Sequence, residues 1–178
     1  MLTPLGLSIV SPGLTPSRAN STVVPSIEYW FPLSLHDPTL FTATLFAAVS
    51  HKRTRWLMKD KADGLFDLQD QKCLELSYLA AITMIRKSLH DPENATTDTI
   101  ILSVLILAVQ ATIEEHTLEM IHSKDSPFDA PFQSLQWIDV YSLLPPNPVH
   151  VEGLIKIIEL KGGLENVTLP CLAAILTL

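Results

Sequence analysis

An apolar run at residues 100–109, broken only by Ser103, constrains the fold of this chain more than any other part of its sequence. Thr97 and Asp98 precede the run and are typical of a helix start, and a helix that is apolar all round needs neighbours on several sides. The run is too short to cross a bilayer, which takes roughly 20 residues. The sequence therefore predicts a buried helix at the centre of a bundle and no membrane-spanning segment.

Two amphipathic helices are predicted before this run. The first begins at Asp37, a favoured N-cap, and ends near Leu57. Its predicted core-facing residues are Leu40, Phe41, Thr44, Leu45, Ala48 and Val49. The second spans about residues 68–90 and stops before Pro92. Its predicted core-facing residues are Leu74, Tyr78, Ala81, Ile82, Ile85 and Leu89.

A capped helix is predicted after Asn147, whose side chain can accept backbone N–H groups. Gly162 and Gly163 provide a left-handed stop at its end. Glu152 and Lys156 are predicted to pair on its exposed side. The predicted core-facing stripe, with helical spacing, consists of Val151, Leu154, Ile155 and Ile158.

Three features of this region carry further predictions. His150 is interpreted as a structural and neutral side chain, because it lies near the positive end of the helix dipole. Gly153 lowers helix stability by about 0.5–1 kcal/mol relative to alanine, so we expect another helix to approach its backbone closely. Residues 169–178 form a second apolar helix without a polar cap, so we expect exposed apolar faces and an incomplete domain.

The fold class predicted from these patterns is all-α. Four or five helices, joined by proline-rich connections, form a partial bundle over residues 27–178. Residues 1–26 are interrupted by prolines and glycines and are predicted to be a flexible leader. Residues 126–148 contain five prolines and are predicted to be a long loop, with residues 135–141 extended or in a single helical turn.

Composition limits the functions open to the chain. Lys and Arg number 12 against 19 Asp and Glu, for a net charge of -7. No broad basic surface is therefore expected, which disfavours direct binding to nucleic acid. Cys73 and Cys171 lie in apolar patterns, and we expect both to be reduced and buried in an intracellular compartment.

The sequence predicts no catalytic, cofactor-binding or metal-binding residue, and we expect that the chain is not an enzyme. It has no motif for an activated nucleophile and no glycine-rich phosphate loop. His116 and His122, with Glu114, Glu115 and Glu119, have the composition of a metal site, but a charged helix end is more often solvated. The alternative hypothesis is a small helical enzyme or ligand-binding protein with a site near His116, Glu119 and His122.

Several short motifs, in order along the chain, resemble one protein family. They are Trp30-Phe31-Pro32, His36-Asp37-Pro38, Leu40-Phe41, residues 134–141, Pro146-Asn147-Pro148, His150 with Gly153-Leu154, residues 159–164 and residues 169–174. Together they resemble the helical regulatory region of fungal zinc-cluster transcription factors, the fungal-specific transcription factor domain. The resemblance covers about residues 28–178.

This resemblance implies a non-catalytic regulatory fragment that acts in the nucleus by protein interaction or effector sensing. Its implied partner is a second copy of the chain or another transcription regulator. The family's zinc cluster needs six closely spaced cysteines, whereas this chain has two. The resemblance therefore does not extend to zinc or to sequence-specific DNA recognition. The family's region also continues beyond the match, which implies a truncated domain.

Overall fold

The computed structural model describes residues 29–58, 66–110 and 146–177. Within these ranges the chain is all-α and contains no strand, which confirms the predicted fold class. The predicted leader at residues 1–26 and most of the predicted loop at residues 126–148 lie outside them. The elements in chain order are α1 (Phe31–Ser34), α2 (Pro38–Met58), α3 (Leu68–Leu89), α4 (Asp98–Val109), α5 (Pro148–Lys161), a 3-10 turn (Leu164–Asn166) and α6 (Leu172–Leu176).

Helix α4 lies at the centre of the fold, as predicted. Every residue from Ile100 to Ala108 is buried, and α4 packs against α2, α3 and α5. Neighbours on several sides explain why this helix is apolar all round. Among the helices of the described ranges, none combines the length and the hydropathy needed to cross a membrane.

Side-chain caps fix the starts of α2 and α5. Asp37 Oδ1 accepts the backbone N–H groups of Thr39 at 2.9 Å and Leu40 at 3.0 Å. Asn147 Oδ1 accepts the N–H of Val149 at 3.0 Å. Each cap satisfies donors that the first helical turn leaves without a backbone partner. Both predicted N-caps are confirmed.

Helix α3 begins with a reciprocal capping box that the sequence analysis missed. The Asp70 N–H donates to Asp67 Oδ1 at 2.8 Å, and the Asp67 N–H donates to Asp70 Oδ2 at 3.1 Å. Asp70 Oδ2 also pairs with Lys52 of α2 at 2.6 Å, so the same carboxylate ties α3 to α2. Most of the predicted core face is confirmed, with burial of Leu74, Ala81 and Ile85 and half-burial of Tyr78 and Ile82, whereas Leu89 is exposed.

The buried face of α2 differs from the predicted one. Leu40 is buried as predicted, but the other predicted residues, Phe41, Thr44, Leu45, Ala48 and Val49, are exposed or half-buried. The face that packs inward consists of Thr39, Leu40, Ala43, Phe46, Ala47, Ser50, His51, Thr54 and Leu57. Several of these residues are polar, so the most apolar stripe in the sequence is not the buried one. Thr54 Oγ1 satisfies its own donor by bonding to the Ser50 carbonyl at 3.1 Å.

The buried stripe of α5 is also rotated from the predicted one. Ile155 is 52% exposed, whereas Ile157, which was not predicted to face inward, is 4% exposed. The other predicted residues are buried or half-buried: Leu154, Val151 and Ile158. His150 and Lys161 complete the inward stripe together with Leu154 and Ile157. A lysine can follow such a stripe because its aliphatic stem covers apolar surface while its ammonium group finds a partner.

The glycine stop of α5 is confirmed. Gly162 and Gly163 have φ of +92° and +111°. The Gly162 N–H donates to the Glu159 carbonyl and the Gly163 N–H to the Ile158 carbonyl, both at 3.0 Å. These are the two hydrogen bonds of a Schellman motif. The chain therefore leaves α5 in a sharp turn, which directs residues 164–177 away from the axis of α5.

Two predictions for this part of the chain are wrong: the close approach of another helix to Gly153 and the exposed apolar faces of residues 169–178. A Cβ atom built on Gly153 would meet no atom within 4 Å, so close approach of another helix does not explain this glycine. In the final apolar segment, Leu172 is 0% exposed. Further residues of the segment pack partly buried against the same core: Val167, Leu169, Ile175 and Leu176. The segment folds onto the bundle, so its apolar side chains are largely covered.

Candidate functional site

The residues of the alternative hypothesis lie outside the described part of the chain. His116, Glu119 and His122, together with Glu114, Glu115 and Trp137, fall within residues 111–145. Within residues 29–58, 66–110 and 146–177, no group of three His, Cys, Asp or Glu side chains is placed to hold a metal ion. Cys73 and Cys171 are free thiols and are half-buried rather than buried. The enzyme or ligand-binding hypothesis therefore stays a prediction.

His150 contacts a tyrosine at the interface between α3 and α5. Its Nε2 lies 3.5 Å from Tyr78 Oη, and the two rings meet edge to face with centroids 6.4 Å apart. Tyr78 packs in turn against Phe46 of α2, with centroids 5.2 Å apart. Burial lowers the pKa of His150, so desolvation favours the neutral form that was predicted from the helix dipole. These three rings link α2, α3 and α5.

His51 is a second histidine in an apolar setting. It lies on the inward face of α2 and is 5% exposed. Burial, and then the nearby positive charge of Arg55, lower the pKa of His51 from 6.5 to about 4. The imidazole is therefore neutral near pH 7. Sequence periodicity missed this position because the predicted core face of α2 was rotated away from it.

We expect acid to destabilise the protein through His51 before any carboxylate of the core titrates. In the unfolded chain His51 binds a proton near pH 6.5, whereas in the folded chain it does so only near pH 4. Its contribution to stability is thus complete above pH 6.5 and is lost as the pH falls towards 4. Urea unfolding should give a free energy lower by about 2 kcal/mol at pH 4.5 than at pH 7.

The matched control for this pH effect is a histidine at the surface. His51→Gln should reduce the pH dependence between pH 7 and 4.5 and leave the part that His150 contributes, while His90→Gln, at an exposed position, should retain the full dependence. An unchanged pH dependence in His51→Gln would contradict the assignment.

The best-defined polar cluster surrounds Asp98, in the first turn of α4. Asp98 Oδ2 accepts three hydrogen bonds: from the Thr168 N–H at 2.8 Å, the Thr168 hydroxyl at 2.7 Å and the Leu169 N–H at 2.7 Å. Its Oδ1 lies 3.0 Å from Nζ of Lys161, the last residue of α5. We call Asp98, Lys161, Thr168 and Leu169 the Asp98 clamp. The clamp fastens the segment that follows α5 to the start of α4.

The charges of the Asp98 clamp are largely withdrawn from water. The side chains of Lys161 and Asp98 are 16% and 13% exposed. Burial acts to raise the pKa of Asp98, but the hydrogen bonds from Thr168, Lys161 and Leu169 outweigh it and hold that pKa below its usual value. Lys161 Nζ also donates to the Thr96 carbonyl at 2.7 Å. The carboxylate is therefore ionised, and both charges have compensating partners.

The same segment is held at two further points. Trp30 Nε1–H donates to the Pro170 carbonyl at 3.1 Å. Leu172 is fully buried in the hydrophobic cluster that also contains Trp30. A carboxylate, an indole N–H and an apolar site thus recognise successive residues of one short stretch, 168–172. This set of groups is suited to binding a peptide segment, and sequence reasoning missed it because its members are about 70 or more positions apart.

Two clefts lie elsewhere on the described surface. The larger, about 580 Å³, is lined mainly by Trp56, Leu57 and Phe66 near the junction of α2 and α3. The smaller, about 310 Å³, includes Met84 and Lys87 of α3 in its lining. Both are open to solvent, and neither lining contains a histidine or a cysteine. They bring together no nucleophile with an imidazole base.

The described residues therefore define an all-α bundle whose best-defined polar cluster binds a segment of the chain itself. Comparisons with protein-family models, with curated proteins and with solved structures find no match to this chain. The fungal-specific transcription factor domain accordingly stays a resemblance carried by short motifs.

Proposed function

We propose that this chain is a non-catalytic helical module of a transcription regulator, of the type found in the regulatory region of fungal zinc-cluster proteins, and that it acts by binding protein. The motifs that carry the resemblance have structural roles here: Trp30 is a core residue, Asp37 caps α2, and Gly162 ends α5. Residues with such roles stabilise the fold. A stable fold that presents a surface is expected of a binding module rather than of a catalytic site.

A pair of exposed leucines on α3 is the observation that carries the proposal. Leu76 is 57% exposed and Leu79 is 59% exposed, and residues three apart are neighbours on one helix face. Neighbouring exposed residues of the same face are polar or charged, namely Lys72, Glu75, Thr83 and Arg86, and Leu68, which is 90% exposed, lies on the same face at the start of the helix. Single exposed leucines are common on soluble proteins. An adjacent apolar pair with a polar surround is typical of a small protein-binding face.

Helix α5 adds exposed apolar side chains of its own. Val149, Ile155 and Leu160 are all more exposed than buried. With a net charge of -7, the chain is poorly suited to binding DNA phosphates. In this proposal it reaches its target genes in the nucleus through a protein partner.

A tethered reporter assay tests the proposal. The full chain is fused to an unrelated DNA-binding domain in fungal cells that carry the matching reporter gene. The fusion should change reporter output relative to the DNA-binding domain alone. The double variant Leu76→Asp/Leu79→Asp should lose most of that change, because charged groups at an apolar contact are left without partners when the interface forms.

Thr83→Asp, on the same exposed face of α3, is the matched control and should keep the wild-type output. All fusions must accumulate to the same level, and purified variants must give the helical far-UV circular dichroism of the wild type. Reporter output equal to that of the DNA-binding domain alone, for the wild-type fusion, would contradict the proposed function.

A further inference from the structure

The groups that bind residues 168–172 form a receptor for a peptide segment. Three donors of Thr168 and Leu169 converge on one carboxylate oxygen of Asp98, and Trp30 supplies a directed donor for the Pro170 carbonyl. The hydroxyl contact requires Thr or Ser at position 168, the Leu169 N–H contact excludes proline at 169, and the buried site accepts an apolar side chain at position 172. The chain fills this receptor with its own segment.

The bound segment packs against the core through Val167, Leu169, Ile175 and Leu176 as well as through the receptor contacts. It follows the Gly162–Gly163 turn, where both residues have positive φ, and its helix α6 is only 5 residues long. Asn166 Nδ2 donates to the Lys161 and Gly162 carbonyls at 3.1 Å, which steadies the turn in its closed form. Rotation at two glycines is sufficient to redirect the whole segment.

We propose that Asp98, Lys161, Trp30 and the buried site that holds Leu172 are an interaction surface for a second copy of this chain, in which two copies exchange residues 164–177. Each copy carries both the receptor and the matching segment, so the exchanged pair repeats the receptor contacts of the closed monomer, while the hydrogen bonds of the Gly162–Gly163 turn are lost. Exchange of an identical element is a low-cost route to a dimer. The inference deepens the proposed function by naming a second copy as a partner.

Intramolecular binding competes with exchange. The linker holds the segment close to its own receptor, at an effective concentration that favours the closed monomer in dilute solution. Exchange becomes dominant when neither copy can bind its own segment but the receptor of one copy can still bind the segment of the other. Two complementary full-length variants create this situation.

The first variant, Asp98→Asn, impairs the receptor and keeps the segment. The second, Leu172→Asp, impairs the segment and keeps the receptor. In an equimolar mixture, the receptor of the second chain can bind the segment of the first. Native mass spectrometry and size-exclusion chromatography with light scattering should detect a 1:1 heterodimer that neither variant forms alone. A mixture that contains only the species of the separate variants would overturn the proposal.

A peptide experiment keeps the proposal testable if either variant folds poorly. The milder full-chain variant Leu172→Ala is titrated with a fluorescein-labelled peptide of residues 164–177 that carries Cys171→Ser to prevent disulfides. Fluorescence anisotropy should show saturable 1:1 binding. The same peptide with Thr168→Val should bind roughly tenfold more weakly or worse, because a hydrogen bond to an ionised carboxylate is lost.

The outcomes separate this inference from the proposed function. Equal binding of the Thr168→Val peptide, or no binding of either peptide, would overturn the exchange. The proposed function rests on the α3 leucines and is judged by the reporter assay, so it survives that result. Conversely, a heterodimer with no reporter activity would support self-association and contradict the regulatory role.

Discussion

Asp98→Ala is expected to destabilise the folded protein by about 3–5 kcal/mol. The substitution leaves Lys161 with a largely buried charge and removes the shared acceptor of the Thr168 and Leu169 donors. An uncompensated buried charge costs more than the net value of the intact ion pair. Urea unfolding at pH 7, followed by circular dichroism, gives the change in the free energy of unfolding.

The control for Asp98 is an ion pair on the surface of α5. Glu152 and Lys156 pair at 2.8 Å, as the sequence predicted, with both side chains exposed. Glu152→Ala should leave the free energy of unfolding within experimental error of the wild type, because exposed pairs contribute little. A loss below about 1 kcal/mol for Asp98→Ala would show that the Asp98 clamp does not fasten the segment after α5.

Ile101→Ala is expected to cost about 3–4 kcal/mol in the free energy of unfolding. Ile101 is fully buried in α4, which packs against α2, α3 and α5. The deletion removes apolar transfer energy and leaves a cavity that helices on several sides cannot close easily. Urea unfolding with an unchanged m-value measures the effect.

Val109→Ala is the matched control in the same helix. Val109 is exposed at the end of α4, so its truncation should change stability by less than about 0.5 kcal/mol. Similar losses for the two variants would contradict the central position of α4 in the bundle.

Helix positions were predictable from the sequence because their signals are local. Asp37, Asn147 and Gly162 act within one turn of the helix ends that they define, and the apolar run of α4 specifies its own burial. Helix α1 was not predicted, and α6 was predicted with the wrong bounds, because a helix of about one turn shows no hydrophobic period. In α6, packing against the core of the bundle determines which side chains are buried.

The orientation of α2 and α5 was not predictable, because polar residues occupy their inward faces. Ser50, His51 and Thr54 are buried in α2, and Lys161 lies on the inward stripe of α5. Local hydrogen bonds and partners on other helices make such burial tolerable, and those partners are not visible in a periodicity analysis. Ile155 was therefore assigned to the core in place of Ile157.

The receptor for residues 168–172 could not be predicted for the same reason. Asp98 was predicted only as part of a helix start, and no local pattern links it to Thr168 or links Trp30 to Pro170. Such contacts depend on how the chain folds back after Gly163. The exposed pair on α3, by contrast, follows from helical spacing once the buried face of that helix is known.

The proposed function requires that the folded bundle present a protein-binding face on α3. The most direct measurement is the reporter output of the tethered Leu76→Asp/Leu79→Asp chain relative to that of the tethered Thr83→Asp chain, at equal protein level and equal helical content. We expect loss of most of the output in the first chain and wild-type output in the second. Equal outputs from the two chains would contradict the proposed function.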